Sequence, residues 1–291
     1  MSGTVFLHIG AGKTGTSSLQ RFLKHFQTEI EAQGFYFVKT GLGLETVAHH
    51  QLALSFGFTR KDDDRFCEDT SLSLTAEVEN IDDTKIIISS ENFHSHVTHT
   101  KLRNLHKAFK GKQVKVILYA RRQDEWVDSA FRQLCEGGNT HSINEIVEKV
   151  KYNRLIDYHW QVRVWEQHFG LGNVVLRLYP NKSAEFDVID DFAQVLGLNA
   201  RSMLERFNDR HNPSLSPAEA EIFRIVNCVS SKKREVCMAI LTILREDETV
   251  DPSKFHFISE QMRVELMEYY ERGNALLAQE YFQREDGKLF D

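Results

Sequence analysis

The chain has 291 residues, of which 41% are hydrophobic and 27% charged, with four prolines and sixteen glycines. This is the composition of an ordinary folded protein, and it excludes a disordered, collagen-like or low-complexity chain. The net charge of −6 argues against a nucleic-acid partner, because duplex binders are usually basic overall.

Taken in chain order, residues 4–9 (TVFLHI) read as a buried strand. Residues 10–15 form a tight glycine-rich loop. Residues 16–33 have helical spacing, with Leu19, Phe22, Leu23, Phe26 and Ile30 on one stripe. Residues 35–38 are a short second strand. Helical pieces are expected near 46–57 and 71–81, around a polar loop, RKDDDR. Residues 85–90 (KIIISS) and 113–120 (QVKVILYA) are the third and fourth strands, with a helix near 100–109 between them. Helices follow from residue 124, over 142–151 and over 153–169. Residues 173–179 (NVVLRLY) are the fifth strand. The remainder reads as helical, with breaks at Gly197 and Pro213 and a long helix over 259–282.

Strands separated by helices imply parallel pairing. Near-continuous apolar strands fit a sheet covered on both faces. The expected fold is therefore α/β: a three-layer sandwich with a mainly parallel sheet of about five strands and a helical C-terminal third, as a single domain over residues 1–291. No apolar stretch reaches the roughly 18 residues of a membrane span, and the N-terminus lacks the pattern of a signal peptide. Cys67, Cys135, Cys228 and Cys237 are scattered without a CxxC pair. They read as reduced thiols in a cytoplasmic protein, with no metal centre.

In such sheets ligands sit at the carboxyl ends of the strands. After the first strand the chain reads HIGAGKTGTSSLQ. Its glycines let the backbone turn sharply, and the helix that follows presents unpaired N–H groups to an anion. Lys13 adds a cation, and Thr14, Thr16, Ser17 and Ser18 add hydroxyls. The loop resembles a Walker A loop but fails GxxxxGK[ST], because its first glycine would fall at Leu7. Neither later strand ends in an aspartate suited to magnesium. A plain glycine-rich turn is the other reading. After the fourth strand come Arg121 and Arg122, with Ser129 eight residues beyond Arg121 on the next helix. Arginine and serine so placed can grip one phosphate. Lys101, Arg103, Lys107, Lys110, Lys112, Lys115, Arg121 and Arg122 follow one another without an acidic residue. They make a local positive field or, over residues 101–112, a solvated helix face.

Together these loops resemble the sulfotransferase family, which uses 3'-phosphoadenosine 5'-phosphosulfate (PAPS). Lys13-Thr14-Gly15-Thr16-Ser17, with Gly12 before it, is similar to the family's 5'-phosphosulfate loop. Arg121 and Ser129 are similar to its 3'-phosphate motif. The wording of both loops, RHNPSLSP (210–217) and LAQEYF (277–282) also resembles the bacterial, carbohydrate-type branch. The resemblance implies metal-free, in-line transfer of a sulfuryl group from PAPS, leaving adenosine 3',5'-bisphosphate. Lys13 would stabilise the departing phosphate. Glu91, after Ser89-Ser90, stands where phenol- and steroid-type members carry a histidine base and carbohydrate-type members a glutamate. It would be the base acting on a glycan or small-molecule hydroxyl or amine. A P-loop phosphotransferase using ATP–magnesium is the alternative, and a non-catalytic nucleotide-binding module a remoter one. His8 reads as orienting the phosphate loop or, like His94 and His96, as an alternative base, and His49 and His50 as acceptor contacts or a solvated helix end. Trp160 and Trp165 read as core, Phe35, Tyr36 and Phe37 as packing, and Arg210, His211 and Asn212 as a turn or a nucleotide cover.

Overall fold

The computed structural model describes residues 3–42, 47–58, 66–82, 84–180, 186–208, 215–229, 235–237, 239–240, 242 and 257–290. They fall into two compact units. The first comprises Met1–Arg121, Arg154–Asp209 and Gly273–Asp291. The second comprises Arg122–Asn153 and Arg210–Arg272.

The first unit is built on a five-stranded sheet. Its strands are β1 (Thr4–His8), β2 (Phe35–Phe37), β3 (Lys85–Ser89), β4 (Gln113–Arg121) and β5 (Val174–Tyr179), in the order β2-β3-β1-β4-β5. Every pairing is parallel. Side chains of a strand alternate between faces, and both faces are covered. Phe6, Ile87, Ile117 and Tyr119 pack on one face with the helices α1 (Thr16–His25), α2 (Gln27–Glu31), α9 (Val188–Leu196) and α10 (Arg201–Arg206). Val5, Leu7, Ile86, Ile88, Val116 and Leu118 point to the other face and are fully buried. The helices of that side are α3 (His50–Ser55), α4 (Glu68–Glu79), α5 (His99–Ala108) and α8 (Tyr158–Phe169). Double coverage explains why the strands read as unbroken apolar runs.

The second unit is helical. It contains α6 (Gln123–Glu136), α7 (Ile143–Tyr152) and α11 (Pro217–Val229). The C-terminal helix Glu260–Phe282 passes from this unit to the first at Gly273. Asp124, 1% exposed, takes an Arg263 guanidinium at 3.0 Å and lies 3.1 Å from Arg122 Nε. A buried carboxylate requires such cationic partners.

Several expectations change in detail. The helix expected over 16–33 divides at Phe26, whose backbone leaves helical geometry (φ −102°) while its ring stays buried against Phe22 and Phe207. The helix expected from 153 begins at Tyr158. Arg154 turns the chain at φ 50°, and the Asp157 carboxylate caps α8 by accepting from Trp160 N. The basic run is neither a binding field nor a solvated face throughout. Lys101 is buried and donates to His96 O, Lys112 donates to Ile81 O, and Lys115 donates to Gly172 O. Carbonyls left over at chain turns need donors, and these lysines supply them. Trp165 is fully buried, but Trp160 lies half-buried under the Arg154 guanidinium. Pro213 and the RKDDDR loop fall outside the described residues, as do Arg210, His211 and Asn212. No helix among the described residues is long and apolar enough to cross a membrane.

Two histidines give the unit a defined acid sensitivity. Burial holds His8 and His94 neutral, each pushed down from 6.5 to about 3. Because the unfolded chain takes up these protons first, their stability is complete above pH 6.5 and is lost as pH falls towards 3. By pH 5 each costs about 2 kcal/mol. Urea unfolding at pH 7.5 and 5.0 should show this loss. His94→Phe, which removes a ring nitrogen with no hydrogen-bond partner, should cut the loss by about 2 kcal/mol. An unchanged loss in the variant would show that His94 is not the group responsible.

Candidate active site

The chain leaves β1 towards β2 on one side of the sheet and leaves β4 towards β5 on the other. The carboxyl ends of β1 and β4 therefore flank the crevice where ligands bind in open α/β sheets. Leu7, where a Walker loop needs its first glycine, is instead a buried residue of β1.

The loop after β1 is a succession of left-handed residues. Gly10, Gly12, Lys13 and Gly15 have φ of 60°, 36°, 60° and 76°. Anion-binding concavities in general are built from backbone turns of this kind. Gly15 is required twice over. Its φ is positive, and a Cβ there would stand 2.8 Å from Val188 Cγ1 and 3.4 Å from Tyr179 Cε2. It starts α1 with no side-chain cap and no acidic residue in the first turn. By contrast, Thr98, Ser142, Asp157 and Asp187 cap α5, α7, α8 and α9. The Thr14 hydroxyl is buried without a hydrogen-bond partner. Thr16 is buried and Ser17 exposed at the start of α1.

Arg121 is the last residue of β4, not the first of the following loop, since it still pairs with Tyr179. Its Nη1 donates to the carbonyl of Lys13 at 3.0 Å. Its backbone is fixed by Tyr158, whose hydroxyl donates to Arg121 O at 2.8 Å and accepts from Arg121 N at 3.2 Å. The guanidinium lies 5.7 Å from the Tyr179 ring centre. Ser129 is half-buried on α6, which belongs to the second unit.

Glu91 opens a 3₁₀ turn, Glu91–His94, directly after β3. It packs on the loop of β1: a Cβ on Gly10 would meet Glu91 Cβ at 2.9 Å and Glu91 Cα at 3.1 Å. One carboxylate oxygen accepts from Gln20 Nε2 of α1 at 2.8 Å. The other lies 3.8 Å from His50 Nε2, and the opposite nitrogen of that ring is 2.8 Å from Ser90 Oγ. Lys13, Arg121 and Glu91 thus stand on loops and strand ends tied to one another through the backbone of the first unit.

The other histidines resolve differently. His8 is fully buried, bonded through Nδ1 to Ser89 Oγ and packed edge-on to Tyr119 and Phe192. It braces β1 against β3 and is not exposed to any substrate. His94 is also buried, and His96 makes a turn at φ 51°. His49 accepts from Ser89 N at 3.1 Å, so its other nitrogen carries the proton and donates to Val38 O at 2.8 Å. Burial lowers its pKa, in keeping with a neutral structural ring. Only His50 of that pair reaches Glu91. Gln20, Tyr158 and Tyr179 were not singled out from sequence, and His50 was, together with His49, as an acceptor contact or a solvated helix end. Gln20 carried a signal, as a polar residue four after Thr16 within a buried helical stripe. The others meet the site only through tertiary contacts.

The packing of Glu91 on Gly10 is testable. Gly10→Ala places a Cβ against backbone at positive φ and should destabilise the chain by about 1–3 kcal/mol. Gly12→Ala, where a Cβ meets nothing within 4 Å, should lose less. Equal losses in thermal unfolding would contradict the close approach of Glu91 to the loop.

No family model matches the chain. An uncharacterized protein of Archaeoglobus fulgidus is 27% identical over 199 residues, which are 68% of this chain and 54% of that protein. The chain thus spans about half the length of the curated relative it matches. Among solved structures, a sulfotransferase from Alicyclobacillus acidocaldarius aligns over 84% of this chain and 96% of its own, at 17% identity and a TM-score of 0.42. A mouse sulfotransferase complexed with PAP aligns over 99% of this chain and 87% of its own, at 14% identity and a TM-score of 0.45.

Proposed function

We propose that the chain, acting as one domain over residues 1–291, transfers a sulfuryl group from PAPS to a hydroxyl or amine, and that the acceptor is a carbohydrate. The observation that carries this reading is the bond from Arg121 to the Lys13 carbonyl. It couples an anion-shaped loop to a second cation at the point where the sheet opens. The uncapped start of α1 and the orphan Thr14 hydroxyl are groups that a phosphate would satisfy.

In this reading the turn from Gly12 to Ser17 holds the 5'-phosphosulfate and the Arg121 fork meets the 3'-phosphate. The sequence motif alone adds Ser129. Lys13 neutralises charge that grows on the departing 5'-phosphate, which lowers the barrier more than it strengthens binding. Glu91 takes the acceptor's proton. Gln20 holds one of its oxygens and leaves the other turned towards His50, so that a hydroxyl oxygen can be shared between them. A carbohydrate acceptor follows from the glutamate at this place, which the sequence resemblance associates with glycan-type enzymes.

Arg121→Ala should weaken adenosine 3',5'-bisphosphate by roughly tenfold to a hundredfold in calorimetry, the worth of a charge-assisted bond of ~1.5–3 kcal/mol. Adenosine 5'-monophosphate, which lacks the 3'-phosphate, should weaken far less, and Ser129→Ala should follow the same pattern more mildly. Equal losses for both nucleotides would remove Arg121 from phosphate recognition. With a sulfated glycan as product readout, Glu91→Gln should lower turnover by ~10²–10⁴ while PAPS affinity holds or improves. Near-normal turnover would remove Glu91 as the base.

A further inference from the structure

Beside Glu91 the first unit sets a hydrogen-bond donor whose direction is fixed from behind. His50 opens α3, and its Nδ1 lies 2.8 Å from Ser90 Oγ. Ser90 is fully buried, and its hydroxyl oxygen already accepts from Asn92 N at 3.2 Å. A buried hydroxyl keeps its own proton paired, and the acceptor that the described residues offer it is His50 Nδ1. A neutral ring that accepts at Nδ1 carries its proton on Nε2, and a protonated ring carries one there as well. His50 Nε2 is therefore a donor in either state. It lies 3.8 Å from Glu91 Oε1, while Gln20 Nε2 donates to the other carboxylate oxygen at 2.8 Å. Gln20 is buried and also reaches Ser89 Oγ at 3.4 Å, so the amide that holds the carboxylate is itself held. The gap of 3.8 Å is too long for a direct hydrogen bond and is of the size that one intervening oxygen bridges.

We infer that, on the sulfotransferase reading above, His50 and Glu91 together select an oxygen nucleophile, so that the acceptor group is a hydroxyl and not an amine. The pair presents one donor and one acceptor to a single atom. A hydroxyl answers both and stays reactive. Its proton points to Glu91 Oε1, one lone pair accepts from His50 Nε2, and the second lone pair forms the new bond to sulfur. As that bond forms, the bond from sulfur to the 5'-phosphate oxygen breaks. Its electron pair leaves with the phosphate, and the hydroxyl proton passes to Glu91. A neutral amine has a single lone pair, and the attack consumes it. If that pair accepts from His50, the amine cannot attack. If it attacks, the His50 N–H is left without an acceptor or meets an N–H of the amine. An ammonium ion carries no lone pair at all. An unpaired donor therefore costs the amine at the step where the hydroxyl keeps its bonds.

The probe is fully deacetylated chitosan hexamer, whose sugars carry an amine beside hydroxyls, incubated with PAPS and the full chain. Proton NMR of the product should place sulfate on oxygen at least about tenfold more often than on nitrogen. His50→Phe should lower oxygen sulfation by roughly tenfold and lower the ratio of oxygen to nitrogen, while adenosine 3',5'-bisphosphate binds it as it binds the wild type. His50→Gln, whose amide restores an N–H, should retain more of both. Without any acceptor, nitrogen-15 NMR at alkaline pH should find the His50 proton on Nε2, assigned by the signals lost in His50→Phe. A proton on Nδ1, sulfate placed on nitrogen, or a ratio unchanged in His50→Phe would overturn the inference even where the bisphosphate binds. Failure of the bisphosphate to bind would overturn the sulfotransferase reading itself, and this inference with it.

Discussion

The bond from the Arg121 guanidinium to the Lys13 carbonyl is the constraint on which the site depends. It joins the ends of two neighbouring strands whose chains depart in opposite directions. It ties down a loop that contains four residues at positive φ. Left-handed geometry at Lys13, a non-glycine residue, costs roughly 1–2 kcal/mol. That cost is offset by contacts that fix the loop from outside. Arg121 holds the carbonyl of Lys13, and Gly15 nests against Val188 and Tyr179. Arg121 is in turn placed by the Tyr158 hydroxyl, which binds both polar groups of its backbone. The position of one cation therefore rests on α8, on β5 and on the loop it secures.

Glu91 is tied to the same loop by a different physical means. Gly10 gives it room, and Gln20 reaches across from α1 to fix one of its oxygens. The loop and the carboxylate share a helix, so displacement of one displaces the other. Behind them lies a set of buried polar groups: His8 bonded to Ser89, His49 bridging Val38 and Ser89, and Tyr119 donating to Asp191, which also pairs with Arg177. Burial and the Asp191 carboxylate raise the pKa of Tyr119, so the phenol stays a donor. These hydrogen bonds tie strands to helices and loops beneath the rim.

Much of this was legible in the sequence for a simple reason. A parallel strand buried on both faces must be apolar throughout, so β1, β3, β4 and β5 announced themselves within a residue or two. The loop after β1 was equally plain, because positive φ demands glycine and an open helix start attracts hydroxyls. What could not be read were contacts between distant segments. Nothing local distinguishes Tyr158 or Tyr179 from a packing residue, and His49 and His50 are neighbours in the chain although one bonds Ser89 and the other Ser90 and approaches Glu91. Lys101 and Lys112 looked like surface charge because their partners are backbone carbonyls, which leave no mark in a sequence. The break at Phe26 was hidden for the opposite reason: the apolar stripe continues through it, and only the backbone changes.

The central claim is that the loop after β1 and the end of β4 form a seat for a bisphosphorylated adenosine nucleotide, filled by protein cations. Titration of the wild-type chain with adenosine 3',5'-bisphosphate in EDTA, set beside ATP with magnesium, tests it directly. The account predicts one-to-one binding of the bisphosphate, undiminished by EDTA, and binding of ATP–magnesium weaker by at least about tenfold, the worth of one lost charge-assisted bond. Tighter binding of ATP with a strict magnesium requirement, or no binding of the bisphosphate, would contradict it.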